Sequence, residues 1–521
     1  MNKSLIFHLA SFFLCAATSR AQVLTSQYNN ARTAATLTET ILTPQNVDAA
    51  RFGKVFSYKV DGDVYAQPLY MPRVDIPGKG ARNVIFVATE HDSVYAFDAE
   101  GKPDEPLWHA SFLASGVTTV PDREVGCPFI SPEIGITPTP VIDAASGTLY
   151  VLARTKESQG FFSPARYVQK LHALAVTTGV EKFGGPVEIQ ASVSGKGAGS
   201  SNGNLQFDPL KELPRAGLLL TGGHVYMTWA SSCDVAPYHG WVMAYDARTL
   251  RQTAAFNTSP DGSESGIWQS DMAPASDDNG NVYVAAGNGK FDAASGGRGY
   301  GDSLLKLHLD GNNLAVRGLF TPSNQDAMNA RDLDLGSGGP ILVPLAGGRH
   351  LALIAGKDGR LDVLDPDRLE KGTVQVLPAG RGVYAAPAYW NGHVFLSASD
   401  DELHDFAVVN GQLSDRPTAS GTQRFPNPGA SPVVSANGTR NAIVWLIETK
   451  VWNDYSSTKH SVLHAYDTAN IAREIYNSEQ NSGRDRAGPA VRFTVPTVAN
   501  GRVYVGTKGE VDVYGILSAN R

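Results

Sequence analysis

Leu463-His-Ala-Tyr-Asp467 repeats a phrase already written as Met243-Ala-Tyr-Asp246 and as Tyr95-Ala-Phe-Asp98. Looser copies stand at Leu171-His-Ala-Leu-Ala175, Leu305-Lys-Leu-His308, Asp362-Val-Leu-Asp365, Leu403-His-Asp-Phe-Ala407 and Val511-Asp-Val-Tyr-Gly515. Consecutive copies end 42 to 77 residues apart. The shortest spacing is close to the roughly 40–45 residues of one four-stranded propeller blade, and the longer ones read as a blade plus loops. The series predicts an all-β, eight-bladed β-propeller of four-stranded antiparallel blades; seven blades would result if one weak copy were a loop hairpin.

Two further cues flank the phrase. Upstream of it runs a strand such as Val282-Tyr-Val284 or Val503-Tyr-Val505, apolar on both faces, as expected of a strand buried between neighbouring blades. Before that strand stands a hairpin, Asp277-Asp-Asn-Gly280 or Ala499-Asn-Gly501, and before the hairpin a proline among small residues. Pro68, Pro140, Pro274, Pro340, Pro387, Pro432 and Pro496 fill that place. The last blade lacks a fourth strand, while Arg51-Phe-Gly-Lys-Val-Phe-Ser-Tyr-Lys-Val60 is a strand with no blade of its own. Pairing the two closes the ring and removes both raw edges.

The N-terminus carries Lys3, an apolar run from Leu5 to Leu14 and small residues at Ser19 and Ala21, the pattern of a cleaved signal peptide. Cys15 follows Phe-Phe-Leu rather than the small residues of a lipoprotein site. Residues 1–21 are therefore expected to be a signal peptide, 22–50 an extended arm lying on the domain, and 51–517 the propeller of a secreted or periplasmic protein. No later run approaches the length of a membrane span. Charged residues make up 18% with a net charge of −7, and no basic stripe appears, which disfavours nucleic acid as a partner. After cleavage two cysteines remain, Cys127 and Cys233, 106 residues apart in loops leaving adjacent blades. In an oxidising compartment they pair as a disulfide; two separate buried thiols are the alternative.

The repeat resembles that of the quinoprotein alcohol dehydrogenase-like superfamily over almost the whole mature chain. Three stretches are similar to that family's own, in its order: Trp268 with Val282-Tyr-Val-Ala-Ala-Gly-Asn288-Gly289; Arg331-Asp-Leu-Asp334 with the following Gly339-Pro340; and Ala355-Gly-Lys357-Asp-Gly359 leading to Asp365. The resemblance implies pyrroloquinoline quinone (PQQ) and Ca²⁺ as the cofactors to test for. It assigns Asn288 to the metal, Asp332 to the catalytic base, and Lys357 and Trp268 to the cofactor. A hard cation takes oxygen ligands and polarises a quinone, and a carboxylate accepts the alcohol proton.

The chain departs from the family's pattern at several points. Within Cys233-Asp-Val-Ala-Pro-Tyr-His239, Val235 stands where the family places a metal-binding Glu, with Asp234 one position away as the substitute ligand. The family's adjacent cysteine pair is reduced to Cys127, and no haem-binding Cys-x-x-Cys-His is present. Other clusters read as structure first: His239 as a core histidine; Asp61-Gly-Asp63 and Glu90-His-Asp92 as turns, with calcium binding or a place at the mouth as the alternative; and Ser192 to Asn204 as a flexible surface loop. These observations favour a non-catalytic or degenerate propeller that binds a protein or small-molecule partner at one mouth. The alternative is a PQQ-dependent dehydrogenase acting on an alcohol or sugar.

Overall fold

The computed structural model describes residues 21–101, 105–158, 160, 164–450 and 458–518; the expected signal segment lies outside them except for Ala21. Among the described residues the strands form eight radial sheets around one channel, the eight-bladed propeller that the repeat predicts. The innermost strands of blades 1 to 8 are Leu69–Ile76, Val141–Asp143, Leu219–Thr221, Ala275–Ser276, Ile341–Pro344, Ala388–Trp390, Val433–Asn437 and Thr497–Ala499. Each copy of the quoted phrase lies on a third strand, as in Ser93–Asp98, whose residues are all buried. Both faces of such a strand pack on neighbouring blades. The core is thus a set of wedges rather than a single centre: one joins Phe97, Val151 and Tyr504, and another joins Phe395, Trp445 and Tyr514.

The ring closes through the N-terminal strand. Phe52–Asp63 runs antiparallel to Arg502–Ile516, with Phe52 opposite Ile516 and Tyr58 opposite Val511. Phe52 fixes the register from inside, its ring 4.9 Å from that of Tyr476 and 6.4 Å from that of Tyr514.

The first part of the expected arm, residues 22–36, does not lie on the domain but enters it. Val23, Ser26, Gln27, Arg32 and Ala34 are fully buried, because the arm threads one end of the central channel. An innermost strand has one edge without a sheet partner, so its inward-facing N–H groups need acceptors. The arm supplies them blade by blade. Val23 O accepts from Tyr70, Leu24 O from Ile142, Asn30 O from Ser276, Ala31 O from Leu342, Thr33 O from Tyr389 and Ala34 O from Val434, all at 2.7–2.8 Å. The Tyr28 hydroxyl accepts from Val498 N, and Asn30 Nδ2 donates to Leu220 O, so all eight blades are joined to the arm.

The proline cue has its physical reason here. Each cue proline stands two residues before the strand position that the arm contacts, on the same side of the strand, and it carries no N–H to satisfy. Blade 3 has Leu218 there instead, and its N–H is taken by Thr139 O at 2.9 Å.

Ser192 to Asn204 also differs from expectation. Ser192–Ser194 pairs with Asn204–Gln206 as a hairpin, and Gly197 N bonds Pro260 O at 2.9 Å, so the glycines serve close packing. No helix among the described residues is long and apolar enough to cross a membrane.

Candidate functional site

The end of the channel away from the arm opens into a cavity of about 200 Å³. Its wall includes Asp234, Trp268, Asp332, Asp334, Lys357 and both cysteines, so most of the residues singled out in the sequence face one space. Asn288 joins them through hydrogen bonds. Its Nδ2 donates to Asp332 Oδ1 at 2.7 Å and its backbone N–H to Asp334 Oδ1 at 2.6 Å.

Local sequence explains the convergence. Asn288 follows the buried strand Val282–Ala285 at the cavity end of blade 4, and Lys357 follows His350–Ala355 at the same level of blade 5. The connection between these blades brings in Asp332 and Asp334. Gly287 is obligatory for the close approach: a Cβ there would stand 2.2 Å from Asp334 Oδ1 and 2.9 Å from Trp268 Cδ1. Asp332 takes a left-handed backbone, φ +55°, a conformation that the short acidic side chain tolerates.

Lys357 is the electrostatic centre. Its Nζ lies 2.5 Å from Asp334 Oδ2 and 2.7 Å from Asp332 Oδ1. Burial works against the ammonium, but the two carboxylates outweigh it and hold its pKa above the usual lysine range. Asp334 is pushed up by burial, against the pull of Lys357. Asp302, behind it, is pushed up to about 7 by burial and by the charge of Asp334.

Asp234 lines the opposite part of the cavity and accepts the Tyr238 hydroxyl at 2.8 Å; burial raises its pKa. The Cys127–Cys233 disulfide is formed, with Cα atoms 5.5 Å apart, and it forms part of the cavity wall. His239 is a core histidine, bonded to Ser259 and to Ala198 O.

The sequence reading missed Arg215, Ser270, Ser337, Tyr384, Arg492 and Phe493, which also line the cavity. Each stands three or four residues before the innermost-strand cue of its own blade, an offset that could have found them. Arg492 lies 4.3 Å over the Phe129 ring and Arg215 5.0 Å over that of Phe493, so the apolar wall carries positive charge.

The fit of a calcium–quinone pair can be tested on these side chains. Asn288 Oδ1 is buried and has no hydrogen-bond partner among the described residues, which is what a cation ligand would leave. Among the described residues the carboxylates beside it are those of Asp332 and Asp334, and Lys357 pairs with both. A hard cation takes about six oxygens. Among the described residues, Asp234, Asp332 and Asp334 do not bring all three carboxylates together within 4.8 Å, and Lys357 holds two of the three. The cavity also falls short of the roughly 300–1,000 Å³ of sites that enclose larger organic ligands. The donor set present does not fit the metal and its cofactor.

No protein-family model matches the chain, and no curated protein matches it in sequence. Solved structures do match. The quinohemoprotein alcohol dehydrogenase from Comamonas testosteroni superposes with a TM-score of 0.60 at 15% identity, covering 98% of this chain and 82% of that one. BamB from Moraxella catarrhalis matches with a TM-score of 0.47 at 15% identity, over 90% of this chain and 99% of its own. The designed protein Ika8 matches at 0.47 and 11%, over 89% and 100%. The chain has the eight-bladed propeller fold of the quinoprotein alcohol dehydrogenase-like proteins.

Proposed function

We propose that this chain is an extracytoplasmic, quinoprotein-like propeller that binds a small ligand in the cavity and does not oxidise alcohols. The observation that carries this reading is the double ion pair of Lys357. It engages in ion pairs both Asp332, the group required as base, and Asp334, a neighbouring carboxylate that a metal would need. What remains is a blind, mostly apolar cavity bordered by Arg215 and Arg492, suited to an apolar body bearing an acidic group. Release to an oxidising compartment accords with the Cys127–Cys233 bridge.

The second reading, a PQQ-dependent dehydrogenase, is favoured by one observation: the unpartnered Asn288 Oδ1 beside Asp332. One experiment separates the two. The purified protein is mixed with PQQ and Ca²⁺, and both its melting temperature and its reduction of an artificial dye with alcohols and sugars are followed. The binding reading expects no shift and no turnover, but stabilisation by small arenecarboxylates over their neutral amides. Dye reduction that disappears in Asp332→Ala reverses the order of the readings.

A further inference from the structure

We propose that the arm-filled end of the channel holds a small inorganic anion of the halide type on the guanidinium of Arg32. Two arginines are among the largest fully buried side chains of the protein, Arg32 and Arg154. They sit in opposite electrostatic settings. Arg154 feels Glu90, Asp208, Asp92 and Glu212. Arg32 feels no carboxylate at all among the described residues, and burial alone lowers its pKa, to about 9.

The hydrogen bonds of Arg32 are equally one-sided. Nε donates to Pro274 O at 2.8 Å, and Nη1 donates to Thr25 Oγ1 at 2.8 Å, Ser26 O at 2.7 Å and Asn29 O at 3.2 Å. These are neutral acceptors, so they orient the group without cancelling its charge. Among the described residues Nη2, which carries two N–H donors, has no partner. Two further donors of the same arm turn, Ser26 Oγ and Gln27 Nε2, are fully buried without partners among the described residues, as is the acceptor Gln27 Oε1. Water could satisfy these donors, but it would leave a fully buried cation uncompensated, which is a costly arrangement. An anion accepting from Nη2 meets both demands. Because the arm turn binds all eight blades, that anion would fasten the hub of the ring.

Thermal unfolding of the full chain in sodium chloride and in sodium gluconate, at matched ionic strength, reads the site. The expected result is a midpoint that rises by about 1–2 °C per tenfold increase in chloride above the dissociation constant, with no such rise in gluconate. Arg32→Met should lose this dependence. Since that variant could fail to fold, crystals of the unmodified protein soaked in bromide supply a second measurement, an anomalous peak within hydrogen-bond distance of Nη2. Equal midpoints in the two salts, or water density at Nη2 with bromide only elsewhere, overturns the proposal.

Discussion

Lys357 Nζ and Asp334 Oδ2 lie 2.5 Å apart at the base of the cavity, with Asp334 only 4% exposed. Removing one partner of a buried pair costs more than the pair contributes, because the other charge is stranded. Lys357→Met should therefore destabilise the protein by about 3–5 kcal/mol in urea unfolding. The double variant Lys357→Met/Asp334→Asn should recover a large part of that loss. A single variant as stable as the parent would show that Asp334 is already solvated or protonated.

The disulfide spans 106 residues and ties the segment before blade 2 to blade 3. On the chain-entropy account a loop of this length stabilises by about 5 kcal/mol. Cys127→Ser/Cys233→Ser should lower the denaturant midpoint accordingly. It should also loosen Asp234, which follows Cys233 directly and shares its left-handed backbone, φ +54° against +51°. Unchanged stability on full reduction would mean that the flanking packing of Val125, Ile130 and Leu213 suffices.

The two halves of the site differ in how legible they were. Trp268, Asn288, Asp332 and Lys357 sit in contiguous phrases, so residue type and order announced them. Arg215, Arg492 and Phe493 are single residues at a fixed offset from a structural cue, and only the ring brings them together. The arm was opaque for another reason. It holds the blades largely through backbone carbonyls, which every residue carries, so nothing in the side chains of residues 22–36 spells its path. The prolines were visible from the start, but their meaning needed the channel: they mark N–H groups that the strands do without.

Acidity should act through Asp302. Its folded-state pKa is raised to about 7 from the usual 3.8, with burial the first cause and Asp334 the second. Between those values the folded chain holds a proton that the unfolded chain has lost. Stability should consequently be complete below about pH 4 for this group and fall as pH rises to about 7, by about 1.4 kcal/mol per pH unit. Asp63 and Asp362, each raised to about 6, add slopes of the same sign over a narrower range. Asp302→Asn should flatten the profile between pH 6 and 7, where Asp302 acts alone of the three. A variant with an unaltered slope there would place the proton on another group.

The closing strand and the arm allow the sharpest test of the architecture, because they act at different places. Deleting residues 22–60 removes both the hub and the strand paired with Arg502–Ile516, which exposes a long sheet edge, and insoluble protein is expected. Deleting residues 22–42 alone leaves that strand in place. It uncovers seven inward N–H groups, on Tyr70, Ile142, Ser276, Leu342, Tyr389, Val434 and Val498. Water entering the channel can satisfy them, so the loss should come mainly from the burial of Val23, Ala34 and Leu42, at about 1.5–3 kcal/mol for a fully buried Val or Leu. The shortened chain should remain folded but melt lower, and a synthetic peptide of residues 22–42 added in excess should restore the midpoint. A truncated protein that melts with the parent, or that ignores the peptide, would mean the blades hold together without their hub.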